Sequence, residues 1–174
     1  MKFFKKNDEV LIADGNLSCL SLEDIDYIKK IAKSNPRQRV RICTHLQIED
    51  SLHEMVIVHT CGAYIRPHKH INKSEAVHVI EGSAEVVFFD EKGNLEKSLR
   101  LGDYKSKSFF YYRLNNEKYH TLVVKSEFFI FHEITNGPFI SNNTVFPSWA
   151  PDDSDKEGIS IFQTCLINNI SSTR

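Results

Sequence analysis

The sequence predicts an all-β barrel or sandwich with one N-terminal helix. Polar and apolar residues alternate over short runs, notably residues 37–45, 53–60, 75–80, 84–89 and 128–134, which is the period of strands with one buried face. Turn-formers separate the runs, among them Asn72-Lys73-Ser74, Glu81-Gly82 and Asp90-Glu91-Lys92-Gly93-Asn94. A helical pattern before residue 37 precedes these runs, and strands at this density point to an all-β fold rather than a βαβ fold.

A chain of 174 residues, 41% apolar and 26% charged, is long enough for one domain with a substantial core. The 22 basic residues nearly balance the 23 acidic ones, so no global field draws the chain to nucleic acid or anionic lipid, and an anionic partner has to be recognised locally. Cys19, Cys43, Cys61 and Cys165 are scattered without Cys-x-x-Cys spacing, and they read as free thiols in a reducing compartment. The basic start Met1-Lys2-Phe3-Phe4-Lys5-Lys6 has no apolar run of signal-peptide length behind it, and no stretch is long enough to span a membrane. A cytoplasmic protein is the expectation.

Residues 1–36 form a lead-in, with short strands expected at Phe3-Phe4 and around Val10, Leu11 and Ile12. Ser21-Leu22-Glu23-Asp24 then fits a capping box, Ile25, Ile28, Ile31 and Ala32 share one helical face, and Asn35-Pro36 stops the helix. Residues 37–168 are assigned to the barrel, the whole being one domain. In its first strand Arg39, Arg41, Cys43 and His45 share a face opposite Val40, Ile42 and Thr44; that Arg/His face is either wet or lines a polar cavity. His53, Met55, Ile57 and His59 share a face of the next strand, and neither His is given a ligand role. Residues 137–158 form a long loop, and a loop of that length has a use, here as a cover for the barrel mouth. A closing strand or oligomer contact is expected over residues 159–168, and a loose end over 169–174.

The chemistry concentrates between Gly62 and Gly82. His68 and His70 are two residues apart on an extended segment, so both imidazoles project from one face. A polar turn follows, and Glu75 opens the returning strand, which brings a carboxylate back to the same place. Two imidazoles and a carboxylate suit one divalent transition metal ion, Fe, Mn, Ni or Zn, with coordination positions left for a further ligand and for substrate.

Gly62, His68-x-His70, Glu75 and Gly82 match the first motif of the cupin superfamily at every fixed position. With Arg39-x-Arg41-x-Cys43-x-His45 upstream and Gly137-Pro138-Phe139 and Trp149-Ala150-Pro151 downstream, the chain resembles the WbuC family of cupin-fold metalloproteins from about Arg37 to Asp153. That resemblance implies a double-stranded β-helix, or jelly roll, with the metal in its mouth, and a homodimer. It implies a third His on a later strand, where His120 stands, although the usual Pro-x-Gly before that His is absent here. It favours the cavity reading of the Arg/His face and makes Glu133 a candidate behind the ligands.

The expected function is a metal-dependent enzyme, of isomerase, epimerase or oxygenase type, acting on a small sugar-type or carboxylated metabolite. The resemblance implies surface polysaccharide (O-antigen) biosynthesis and a sugar or nucleotide-sugar ligand. Under that reading Arg39, Arg41 and Lys73 bind substrate, and His45 or Tyr64 serves as acid or base, roles taken from residue type. A non-catalytic metal- or sugar-binding cupin and a metal-free epimerase or ketoisomerase are the alternatives.

Overall fold

The structure, a computed structural model, describes residues 2–172; Met1, Thr173 and Arg174 lie outside the described residues. In chain order the elements are β1 (Phe3–Asn7), β2 (Val10–Ala13), α1 (Leu22–Ser34), β3 (Arg39–Cys43), β4 (Leu52–Thr60), β5 (Lys69–His70) and β6 (Glu75–Glu81). There follow β7 (Ser83–Phe89), β8 (Leu95–Gly102), β9 (Tyr111–Leu114), β10 (Tyr119–Val124), β11 (Phe128–Asn136), β12 (Thr144–Val145) and α2 (Lys156–Ser172).

The expected jelly-roll barrel is present. One sheet has the order β1-β2-β3-β4-β11-β6-β9, a second the order β10-β7-β8, and a two-stranded piece pairs β12 with β5. Bridges from His68 to His120 and from Leu101 to Phe109 tie the sheet edges together. Between the sheets lies a core that includes Val77, Val79, Val86, Phe129 and Phe131, all on inward faces of alternating strands. The turn into β7 requires Gly82: its φ is +84°, and a Cβ there would overlap the Phe128 carbonyl oxygen.

Helix α1 forms as its sequence demands. The Ser21 hydroxyl caps the Asp24 amide, and the Asp24 carboxylate accepts the Ser21 amide at 2.7 Å, a reciprocal capping box. Ile28 and Ala32 are fully buried against Val40, Ile42 and Val58 on the outer face of β3 and β4. Because that outer face of β3 is covered by the helix, Arg39, Arg41 and Cys43 must point into the barrel.

Residues 159–168 are a correction. They belong to α2 rather than to a closing strand, because Ile159, Phe162, Leu166 and Ile170 recur at intervals of three and four. Leu166 and Ile170 pack on Val87, Phe89 and Tyr119, outside the smaller sheet. Each such burial is worth about 1.5–3 kcal/mol relative to exposure. The expected loose end is likewise helical through Ser172. All four cysteines are free, only Cys43 being buried. Among the described residues no helix is long and apolar enough to cross a membrane.

Candidate metal centre

His68, His70 and His120 present ring nitrogens that all lie within 4.8 Å of one another. The backbone produces this directly. His68 and His120 face each other as an antiparallel pair, with reciprocal amide-to-carbonyl bonds of 3.1 and 2.9 Å, and their rings stand 4.6 Å apart. His70 is two residues further along the same extended segment, with its ring 4.9 Å from that of His68.

Glu75 arrives by a pinned reversal. Asn72 adopts φ +55°, a conformation that Asn tolerates better than most residues. Its amide donates to Glu117 at 2.9 Å, the Ser74 amide donates to Asn136 Oδ1 at 2.8 Å, and the Thr135 hydroxyl donates to the Ser74 carbonyl at 2.9 Å. Glu75 then opens β6 with its carboxylate buried, Oε1 3.0 Å from His120 Nε2 and Oε2 3.6 Å from His70 Nε2.

Each imidazole is oriented from behind. Nδ1 of His68 lies 2.8 Å from the Arg66 carbonyl oxygen and Nδ1 of His120 lies 2.9 Å from that of Lys118, so both donate Nδ1–H; this leaves the Nε2 lone pair of His68 free, while Nε2 of His120 faces the Glu75 carboxylate. Nδ1 of His70 meets the Thr144 hydroxyl at 3.2 Å. Burial, with His120 and His70 nearby, holds His68 down to about 3 and therefore neutral. Burial alone would raise the Glu75 carboxyl, but His120 and the other two rings outweigh it and keep Glu75 ionised. Burial likewise opposes charge on His120, and Glu75 overrides it and raises that imidazole. Tyr112 donates to Glu75 Oε1 at 3.3 Å, and burial followed by the Glu75 charge keeps this phenol protonated. Three imidazoles and one carboxylate converging in this way fit a borderline divalent transition metal.

The centre opens on a cavity of about 390 Å³. Arg39, Arg41, Cys43 and His45 line it, Arg41 being exposed and Cys43 buried. His45 is oriented by the Glu54 carbonyl oxygen, 3.2 Å from Nδ1, and its ring stacks on His53 at 3.9 Å. Lys73 lines the mouth, its amine donating to the Asn136 carbonyl at 2.8 Å. Glu133 is recessed in the wall, where burial, then the Glu75 charge, raises its carboxyl to about 7. The segment after β11, which carries β12 and is followed by α2 from Lys156, reaches the site: Phe139, Thr144 and Phe146 are part of the lining.

Tyr64 is a correction. It is not among the lining residues; its hydroxyl donates to the Pro151 carbonyl at 2.8 Å and its ring meets Phe162 of α2 edge-on. It ties the long loop and α2 to the barrel. Tyr64→Phe is expected to cost about 1 kcal/mol of stability and to leave binding of a divalent ion unchanged, read by urea melts beside metal titration. A weakened metal site with intact stability would show that Tyr64 acts at the centre.

His53 and His59, given no role from the sequence, also line the cavity. Both are nearly enclosed, at 3% and 7% exposure, and His53 Nε2 and His59 Nδ1 have no hydrogen-bond partner. Their shared period with Met55 and Ile57 was the available signal. Pairing of β4 between β3 and β11 makes that face the inner one.

Residues 20–101 match the model of a family described as a domain of unknown function, DUF6016. No curated protein matches the chain. Among solved structures it is similar to protein SO0799 from Shewanella oneidensis, with a TM-score of 0.49 and 12% identity, over 58% of this chain and 65% of that one. It is also similar to oxalate decarboxylase from Bacillus subtilis at pH 4.6, with a TM-score of 0.48 and 23% identity. That match covers 62% of this chain and 27% of the decarboxylase, so the chain spans about a quarter of that enzyme's length.

Proposed function

We propose that this chain is a cupin-fold metalloenzyme acting on a small sugar-type or carboxylated metabolite, with His68, His70, Glu75 and His120 as the ligands of one divalent ion, Fe, Mn, Ni or Zn. The observation that carries the reading is the set of three imidazoles within 4.8 Å of one another, two of them with Nδ1 held by a carbonyl, beside a buried carboxylate at the end of a cavity. A bound ion of this class supplies Lewis acidity toward a substrate oxygen, or an oxygen-binding position if it is iron.

The chain's own residues supply the remainder. His45 keeps Nε2 free by donating Nδ1–H to the Glu54 carbonyl, so it is placed to accept a proton from a ligand in the cavity. Arg41 and Lys73 offer positive charge to an anionic or hydroxylated ligand, and Arg39 contributes through its pair with Glu9. Phe146, with its ring 6.1 Å from that of His68 and under the Arg66 guanidinium, adds an apolar wall beside the centre. The resemblance to the WbuC family supports a place in surface polysaccharide metabolism and a homodimer.

The test is elemental analysis of protein purified without chelator or affinity metal, beside the double variant His68→Ala/His70→Ala. Near one equivalent of a transition metal in wild type and almost none in the variant is the expected result. A folded wild type that takes up none of Fe(II), Mn(II), Ni(II) or Zn(II) rejects the metalloenzyme, and sugar ligands of a metal-free barrel become the subject. Stoichiometric metal without turnover of any anionic or sugar substrate would favour a binding protein.

A further inference from the structure

The cavity continues from the metal centre along the inner face of β3, β4 and β11 to a second polar end. Strand register locates it. Glu75 stands beside Thr135, and Thr135 beside His53. Two pairs further on, Val79, Phe131, Ile57 and Arg41 make one row across the sheet, and His59 pairs with Arg39 beyond it. From Glu75 to Val79 the strand advances about 13 Å, at ~3.3 Å per residue.

Charge at this end is not balanced. Lys6, Arg37, Arg39 and Arg41 line it against Glu9 and Asp153. Both carboxylates are already engaged: Arg37 lies 2.9 Å from Asp153 and 3.4 Å from Glu9, and Arg39 Nε donates to Glu9 at 2.9 Å. Among the described residues, Lys6 and Arg41 make no ion pair; the Arg41 charge acts on the Glu133 carboxyl, one inner row away, without contact. Both are close enough to Cys43 to oppose the effect of burial on its thiol. His59 lines the same end, 7% exposed, with no hydrogen bond from its ring among the described residues. A buried polar ring without a partner is costly, and a hydrogen-bonded ligand would remove that cost.

We infer that Arg41, Lys6 and His59 form a second subsite, which takes a carboxylate or phosphate at the far end of a ligand whose other end lies at the metal centre. Arg41 provides the planar fork that matches such an anion, Lys6 the second charge, and neutral His59 a hydrogen bond without repelling either cation. Arg39, held by Glu9, braces this end rather than reading the ligand. Between the two ends the wall is largely apolar, formed by Met55, Ile57, Val77 and Phe131, with the Glu133 carboxyl as a polar interruption. That profile fits a short hydrocarbon segment carrying an anion at each end, and it narrows the metabolite class from sugar toward carboxylated. The two-ended ligand rests on the metal reading; the anion subsite does not.

The test therefore has two arms. In the first, inorganic phosphate is titrated calorimetrically into metal-stripped wild type, Arg41→Gln and His68→Ala/His70→Ala. Phosphate binding is expected to survive in the His variant and to weaken in Arg41→Gln by about tenfold or more. Equal binding by Arg41→Gln and wild type, or loss of binding in the His variant, overturns the subsite. In the second arm, suberate and octanoate are titrated into Zn(II)-loaded wild type and Arg41→Gln. Suberate should bind at least about tenfold more tightly than octanoate, and Arg41→Gln should erase that advantage. No advantage in wild type overturns the two-ended ligand. Failure of wild type to take up zinc rejects the metal reading and the two-ended ligand with it, and leaves the phosphate arm to decide the subsite.

Discussion

Glu75→Gln is expected to weaken divalent metal binding by at least about a hundredfold, since replacing groups behind metal ligands already costs about 10–100-fold. The substitution keeps the shape of a side chain that is 6% exposed, and removes the negative charge that sits 3.0 Å from His120 and 3.6 Å from His70. Competition against a chelator of known affinity reads the change, with near-UV circular dichroism confirming the fold. Tyr112→Phe, which removes only the 3.3 Å hydrogen bond to Glu75, should have a much smaller effect. Wild-type affinity in Glu75→Gln would show that the ion is held by imidazoles alone.

Acid should destabilise the fold through His59. Burial, then the nearby charges of Arg39 and Arg41 on β3, holds this imidazole down to about 3, while the ring of Phe131 on β11 closes it in from the other side at 5.4 Å. In the unfolded chain a His takes up a proton below about pH 6.5. The unfolded state therefore binds more protons throughout the window between the two values, and stability falls as pH falls. The slope is about 1.4 kcal/mol per pH unit well inside the window, or about 2 kcal/mol between pH 7 and pH 5. Urea midpoints of metal-stripped wild type and His59→Leu at those two pH values separate this contribution from that of the other buried His residues. Parallel pH dependence in the two proteins would mean that His59 carries its proton in the folded state.

The outcome at particular residues shows what a sequence makes legible. His68, His70 and Glu75 were legible because their placement depends on local geometry: a two-residue strand period and a short turn. The capping box at Ser21 and Asp24 was legible for the same reason. Tyr64 was misread because it differs from its neighbours in a partner 87 residues away, the Pro151 carbonyl. Residues 159–168 were apolar enough for a strand, and only their spacing of three and four, matched to the outer face of the smaller sheet, made them a helix.

The sequence by itself determined the fold class, the helix and its cap, and the grammar of two His and one Glu, because side-chain period and turn chemistry act over a few residues. Only the tertiary structure decided that β4 lies between β3 and β11, which turns His53 and His59 inward. It also decided that Glu9 and Asp153 engage Arg37 and Arg39, while Arg41 makes no ion pair among the described residues. Those outcomes depend on which strands become neighbours and on which charges meet across 30 residues, as Arg39 and Glu9 do, or 116, as Arg37 and Asp153 do, and no local period encodes either.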